Sequence, residues 1–434
     1  VNEGVVRIRV PGDKSLTQRA LILASLAEGK SRLSGLLFGG DAASTAGALR
    51  TLGAKIGPLP TDGGEIRVEG LGLRGLQEPK GPLDLGNSGT GTRLLLGVLA
   101  GSGVRATLTG DASLRRRPMA RVTEPLSLMG AGMTFLGESG RLPVAVRGAH
   151  PLSPLEWHSP VASAQVKSAL LLAGLTGSAF VILNEPRRSR DHTERLFATV
   201  GVPVVSHPAE GGWQVELRDP PERIEPLDFR VPGDPSSAAF FAALAAGGGA
   251  GGGLLIEGVG LNPTRTAFLD VLRRMGADVA TEVEEPSAAE PVGSVGVSPS
   301  HLTAVSVGGD EVPGLIDEIP LVAVLATRAE GATRITGARE LRHKESDRIA
   351  ALVENLRALG AEAEELDDGL VVEGGAGPLS GRVSTHGDHR IAMAFGVLGA
   401  LPDNQVVVDE PDAANVSFPG FWELLRSVSR QGGP

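Results

Sequence analysis

Three of the six lysines stand where a solvated lysine is not expected: Lys14, Lys167 and Lys344 lie in stretches rich in Gly, Ser or small apolar residues. Lys14 and Ser15 open a helix predicted over 16–27, with Arg19 one turn after Ser15 on the same face. A hydroxyl, helix N-terminal N–H groups and two cations in one place make an anion site. A capped surface helix with a solvated lysine accounts for the same residues equally well. The segment is not a Walker loop, because the G-x-x-x-x-G-K-[ST] spacing is absent.

Leu85-Gly86-Asn87-Ser88-Gly89-Thr90-Gly91-Thr92-Arg93 is a second element of this kind, placed before a helix predicted over 94–100. Its small residues let a ligand approach backbone N–H groups closely, although a strand-to-helix turn uses them too. Gly70-Leu71-Gly72-Leu73-Arg74-Gly75 matches a dinucleotide fingerprint in form, but the proline-bearing segment after it is no helix, so it is set aside. Arg115-Arg116-Arg117-Pro118-Met119 reads as a solvated basic loop when taken alone.

Ser163-Ala164-Gln165-Val166-Lys167-Ser168 precedes an apolar run, so its polar side chains need partners, of which a ligand is one. Ser189-Arg190-Asp191-His192-Thr193-Glu194 has a similar layout, and helix capping explains it as well. In the second half, Asp317-Glu318 stands at the mouth of a buried helix over 319–325, where an acid often only complements the helix dipole. His343-Lys344-Glu345-Ser346-Asp347-Arg348 places Lys344 and Arg348 at i, i+4 with Glu345 beside them. His386-Gly387-Asp388-His389-Arg390 opens a helix over 391–398. Two histidines without a third ligand make a weak metal pattern, and an oriented Asp-His-Arg cluster is favoured. One reading unites these segments: a cleft between halves binds multiply anionic small molecules, with two or three carboxylates left for proton transfer.

The elements that must carry these residues recur along the chain. A helical pattern ending in Gly and followed by an alternating strand occurs five times, with the glycines at 53, 130, 201, 276 and 360. Glycine after the last helical residue is the expected left-handed terminator. A sixth helix around Phe421-Trp422-Glu423-Leu424-Leu425 closes the series without a following strand. Val10-Pro11-Gly12-Asp13-Lys14-Ser15 returns 221 residues later as Val231-Pro232-Gly233-Asp234-Pro235-Ser236, close to half of the 434 residues. The two periods together predict an α/β protein of two similar halves, each of three α/β units, joined at the Pro-Gly-Asp segments. The resulting domains are 1–12 plus 232–434, and 13–231.

Composition excludes several classes. Net charge is −10, aromatics are 3% and tyrosine is absent, so nucleic-acid binding is not expected. The absence of cysteine removes disulfides, thiolate metal sites and a cysteine nucleophile, and makes the cytoplasm the default compartment. The segment 236–256 carries no charge, but its run of glycines does not suit a lipid-exposed span. No membrane association and no metal are expected.

Taken in order, Pro11-Gly12-Asp13-Lys14-Ser15, Asn87-Ser88-Gly89-Thr90, Arg117-Pro118-Met119, Lys344-Glu345-Ser346-Asp347-Arg348, Gly387-Asp388-His389-Arg390 and Ser417-Phe418-Pro419 resemble the 5-enolpyruvylshikimate-3-phosphate (EPSP) synthase family, 3-phosphoshikimate 1-carboxyvinyltransferases. The resemblance implies two domains, each of three βαβαββ repeats, with a ligand cleft between them and two crossovers near the Pro-Gly-Asp segments. It implies transfer of the enolpyruvyl group of phosphoenolpyruvate to the 5-hydroxyl of shikimate 3-phosphate, a step of aromatic amino acid and chorismate biosynthesis and the target of glyphosate. It implies no cofactor and a monomer.

By the same resemblance, shikimate 3-phosphate is held by Lys14, Ser15, Arg19, Ser163, Gln165, Ser189, Arg190, Asp317 and Lys344. Phosphoenolpyruvate is held by Lys14, Gly89, Arg117, Gln165, Arg348 and Arg390. Asp317 is the base at the 5-hydroxyl, and Glu345 and Lys14 share the proton traffic at the methylene carbon and phosphate. The chain departs from many members at Leu94, where Pro is usual, at Ala164, where a second Ser is usual, and at Val416, where a Lys is usual. The UDP-N-acetylglucosamine enolpyruvyl transferases, of the same fold, usually carry a reactive cysteine that is absent here. A non-catalytic anion-binding protein would have no use for Asp317 and Glu345 together.

Overall fold

The structure is a computed structural model that describes residues 5–286 and 289–431. The chain separates into two units. One, here the split unit, is formed by residues before Gly12 and after Val231; the other, the continuous unit, is Gly12–Val231 with a short stretch ending at Glu290.

The continuous unit contains three four-stranded sheets of one pattern. In order across each sheet they are Asp228–Arg230, Glu28–Ser34, Ile66–Leu71, Lys55–Ile56; then Leu83–Asp84, Arg105–Thr109, Val144–Arg147, Gly132–Phe135; then Leu155–His158, Val181–Glu185, Gly212–Leu217, Val204–Ala209. In each, the first pair runs parallel and the others antiparallel. The parallel pair needs a crossover, supplied by the helix Gly89–Ser102 in the second sheet and Ala164–Gly177 in the third. The short turns after the later strands give hairpins. The first sheet takes its parallel strand from the end of the unit, Asp228–Arg230, and so ties residues nearly 200 positions apart.

The split unit repeats the pattern. Val6–Arg9 runs parallel to Leu254–Gly260, which pairs antiparallel with Pro291–Ser298, itself paired with Asp278–Pro286. The second sheet is Ser306–Val307, Ala332–Ile335, Gly369–Glu373, Ala363–Leu366. The sixth repeat is shortened to the parallel pair Ser380–Val383 and Gln405–Val408, after which the helix Phe421–Gln431 replaces a hairpin among the described residues.

The five repeat-ending glycines all have φ between 79° and 103°, the left-handed region that a side chain resists. Both Pro-Gly-Asp segments turn into helices capped by their Asp. Asp13 accepts from the Leu16 N–H at 2.8 Å to start Lys14–Leu26, and Asp234 accepts from the Ser236 N–H at 2.8 Å to start Pro235–Ala246. The first therefore starts two residues before the predicted helix, because Asp13 is its cap.

The helices that open toward the charged segments are buried nearly all round, with apolar residues on most faces and the charged ones near their starts. Gly97 brings Gly89–Ser102 against Ala164–Gly177: a Cβ there would lie 2.1 Å from the Ala169 carbonyl. In the split unit Phe240, Phe241, Phe418, Phe421 and Trp422 pack edge to face or tilted with centroids 5.1–6.0 Å apart. Phe418 of the Ser-Phe-Pro motif is thus a core residue.

Candidate active site

Within the continuous unit the cations gather at helix starts. Lys14 pairs with Asp41 at 3.2 Å. Arg19 is buried, and its guanidinium donates to the Thr193 hydroxyl at 2.8 Å, the Ser168 hydroxyl at 2.8 Å, the Ser15 carbonyl at 3.2 Å and the Ser15 hydroxyl. All four acceptors are neutral oxygens. Burial pulls the Arg19 guanidinium down to about 10, with Asp13 and Glu194 pulling the other way and the like charge of Arg190 adding to the fall. It stays charged at neutral pH, so an anion beside it is strongly favoured.

The Asn87–Arg93 segment lies largely inside the first turns of the helix Gly89–Ser102, which begins five residues before the predicted start. Ser88 caps it by accepting from the Gly91 N–H at 3.1 Å. Arg93 donates to Gln165 Oε1 at 2.9 Å and to the Pro118 carbonyl at 3.0 Å, and Gln165 donates to the Thr90 hydroxyl at 2.9 Å. Arg117 donates to Asn87 Oδ1, and Asn87 donates to Asp111 at 2.7 Å. A Cβ on Gly89 would stand 2.9 Å from Arg117 Nη1 and 3.0 Å from Arg93 Nη1, so the bare glycine admits two guanidinium groups to one helix start. Arg117 is therefore no solvated loop residue; it is buried. Leu94 is buried in the same helix, and Ala164 is the first residue of the helix Ala164–Gly177.

Lys167 has no solvent contact. It pairs with Glu185 at 3.2 Å and Glu194 at 2.8 Å. Burial opposes its charge, but the two carboxylates outweigh that and raise its pKa above the usual 10.5. Ser163 and Ser189 meet on the same carboxylate. Glu185 Oε1 accepts from the Ser163 N–H at 3.0 Å, and Oε2 accepts from the Ser189 hydroxyl at 2.8 Å. Asp191 makes no capping bond with its side chain and holds Arg188 and Arg195 at 2.8 and 2.9 Å, which corrects the capping reading of that segment.

Within the split unit, Arg348 is the centre of a carboxylate cluster. It meets Asp388 at 2.8 and 3.1 Å, Glu345 at 2.6 Å and Asp317 at 3.5 Å. Burial opposes the Arg348 charge, but Asp388 and Glu345 outweigh it and raise its pKa above the ordinary value. Lys344 reaches the same Asp317 oxygen at 3.8 Å. The i, i+4 reading of Lys344 and Arg348 fails as local geometry: Arg339–His343 is a 3-10 turn, and Asp347 caps a new helix, Arg348–Ala358. The two cations converge through Asp317 instead. Glu318, the residue before Ile319–Ala326, makes no capping bond with its side chain. Arg390 lies 3.7 Å from the buried Glu318, which accepts from the Ser236 hydroxyl; Ser236 in turn accepts from Arg265 at 2.9 Å. Val416 ends the 3-10 segment Pro411–Val416, half-buried.

Asp41, Arg93, Glu185, Glu194, Glu318 and Asp388 belong to these networks and are not among the sequence-derived site residues. Arg93, Glu194, Glu318 and Asp388 lay inside quoted segments. Asp41 and Glu185 had no local signal, because each is fixed by a partner distant in sequence. No group of three His, Asp or Glu side chains able to hold a metal occurs among the described residues, and no helix of them is long and apolar enough to cross a membrane.

The architecture is that of an enolpyruvyl transferase. An EPSP synthase from Acinetobacter baumannii superposes with a TM-score of 0.83 at 38% identity, covering 97% of this chain and 95% of that one. The enolpyruvyl transferase NikO from Streptomyces tendae shares the fold at a TM-score of 0.73 and 18% identity, over 98% of this chain and 94% of its own. The family model for EPSP synthase (3-phosphoshikimate 1-carboxyvinyltransferase) matches residues 3–425. The 3-phosphoshikimate 1-carboxyvinyltransferases of Thermus thermophilus and Gloeobacter violaceus are 52% and 49% identical, over 97% and 98% of this chain and 96% of each relative. This chain belongs to the EPSP synthase family and is a transferase.

Proposed function

We propose that the charged sets of the two units carry out the family's reaction in the following division of labour. The chain transfers the enolpyruvyl group of phosphoenolpyruvate to the 5-hydroxyl of shikimate 3-phosphate. The hydroxyl oxygen bonds to the central carbon of phosphoenolpyruvate as the methylene carbon takes a proton. Loss of a proton from that carbon and of inorganic phosphate then leaves the enol ether. Lys14, Ser15, Arg19, Ser163, Gln165, Ser189 and Arg190 in the continuous unit, and Asp317 and Lys344 in the split unit, are assigned to shikimate 3-phosphate. Lys14, Gly89, Arg117 and Gln165, with Arg348 and Arg390, are assigned to phosphoenolpyruvate.

Asp317 is the base at the 5-hydroxyl. It is partly open to solvent, and it stands between Lys344 and Arg348, cations that stabilise charge developing on the substrate. Glu345 and Lys14 handle the proton at the methylene carbon and the leaving phosphate. The observation that carries the substrate class is Arg19: a buried guanidinium whose hydrogen bonds all go to neutral oxygens is completed by an anion. We place the enzyme in the cytoplasm as a monomer acting on small molecules.

Phosphate release measured with phosphoenolpyruvate and either shikimate 3-phosphate or UDP-N-acetylglucosamine tests this reading. Release with the first acceptor alone is expected. Release with the nucleotide sugar, or with neither, overturns it.

A further inference from the structure

The mechanism assigns no part to the buried Lys167, Glu185 and Glu194, yet their contacts run to two residues that it does use. Glu185 is a hub. Its Oε1 accepts from the Ser163 N–H at 3.0 Å; its Oε2 accepts from the Ser189 hydroxyl at 2.8 Å and the Ser189 N–H at 3.5 Å, and lies 3.2 Å from Lys167 Nζ. Lys167 also donates to the Ser189 carbonyl at 3.3 Å and pairs with Glu194 at 2.8 Å. One carboxylate thus ties together the start of the helix Ala164–Gly177, which follows Ser163, and the loop bearing Ser189.

The direction of the Ser189 hydroxyl bond matters. A carboxylate only accepts, so the Ser189 proton points at Glu185. A phosphate dianion also only accepts, so Ser189 can serve it only by turning that proton away. Glu185 then keeps its charge buried with one bond fewer, a loss that is severe without a counter-ion. Lys167 is that counter-ion, and Glu194 on its far side holds the ammonium in place. The same Glu194 also supports the charge of Arg19.

From these contacts we infer that Glu185, braced by Lys167, is a positioning residue that sets Ser163 and Ser189 for the phosphoryl group of shikimate 3-phosphate and lets the Ser189 hydroxyl exchange between carboxylate and phosphate. The inference rests on the substrate assignment above. It predicts a cost that falls on the phosphate and not on the ring.

Calorimetric binding of shikimate 3-phosphate and of unphosphorylated shikimate to wild type and Glu185→Gln separates the two. The amide matches the carboxylate in shape but offers one acceptor in place of two, so one serine segment is released. Glu185→Gln is expected to weaken shikimate 3-phosphate about tenfold or more, the loss of a charge-assisted hydrogen bond, while shikimate changes less than about twofold. The KM for phosphoenolpyruvate should likewise stay within about twofold. Unchanged shikimate 3-phosphate binding overturns the inference, as does an equal loss for both ligands with a lowered melting temperature, which marks a structural role only.

If Glu185→Gln does not fold, Lys167→Arg serves. It keeps the charge but replaces a point donor by a planar fork, and should shift shikimate 3-phosphate binding several-fold with shikimate unmoved. Equal binding of shikimate 3-phosphate by that variant and wild type also overturns the inference. Failure of the substrate assignment appears separately, as a wild-type enzyme that binds shikimate 3-phosphate no better than shikimate.

Discussion

The Arg348 guanidinium and the Asp388 carboxylate meet in a two-pronged pair, Nε to Oδ2 at 2.8 Å and Nη2 to Oδ1 at 3.1 Å, with both side chains buried. Asp388 also accepts from the Ser346 hydroxyl at 3.0 Å and from the Arg390 N–H at 2.9 Å. One carboxylate therefore orients the side chain of Arg348 and caps the helix His389–Ala400, which carries Arg390. Two arginines assigned to phosphoenolpyruvate depend on it.

Removing that charge should be felt in stability. Asp388→Asn leaves a fork of Arg348 without its carboxylate and is expected to destabilise the protein by about 3 kcal/mol, read as a lowered urea midpoint. The pH dependence has a fixed sign. Burial tends to raise the Asp388 carboxyl, but Arg348 outweighs it and holds the pKa below the ordinary 3.8. The unfolded chain thus binds the proton more readily, and stability from this pair is full above the unfolded value and falls as pH drops below about 4 through the folded pKa. Urea midpoints of wild type and Asp388→Asn should converge as acid is added. Parallel curves would show that the pair does not contribute in this way.

Asp317 has two cationic neighbours and stays partly open to solvent, so its replacement should act on rate and not on folding. Asp317→Asn is expected to lose roughly 10²–10⁴-fold in kcat, the range of a general base, while its melting temperature and its binding of shikimate 3-phosphate persist. If kcat survives within a few-fold, Glu345 becomes the leading candidate for the base.

Arg390→Lys tests the need for a forked donor. A lysine keeps the charge near Glu318 but cannot make two parallel bonds to a carboxylate or phosphate. The KM for phosphoenolpyruvate should rise about tenfold or more with the melting temperature nearly unchanged, as expected for a lost bidentate contact. Wild-type kinetics would take Arg390 out of the site.

Gly89→Ala asks whether the two guanidinium groups need the bare backbone. The new methyl would lie 2.9 Å from Arg117 and 3.0 Å from Arg93, so both must move by a few tenths of an ångström. Because the displaced atoms are ends of flexible side chains, folding should survive. The KM for phosphoenolpyruvate should rise, by about 1 kcal/mol of binding or more, because misplaced charged donors weaken their hydrogen bonds steeply. An unchanged KM would show that Arg117 does not need its present position.

The sequence by itself determined the repeats and the places where charge enters them. Gly53, Gly130, Gly201, Gly276 and Gly360 terminate helices because only glycine takes a positive φ without strain, and that signal is local. The same holds for Asp13 and Asp234, whose caps act over two or three residues. The motifs at Lys14, Asn87, Lys344 and Asp388 were legible as charged or small residues at helix starts, and their joint match pointed to the family. Tertiary structure alone decided which charges are balanced. Lys167 meets Glu185 and Glu194 from 18 and 27 residues away, and Arg348 meets Asp388 from 40 away. No periodicity encodes those pairs, because the strands and helices between them set the distance. The energy of a charge depends on burial, which a residue's own neighbours in sequence do not reveal: Lys14 keeps some solvent, Lys167 has none, and only packing makes one a candidate ligand contact and the other a brace beneath it.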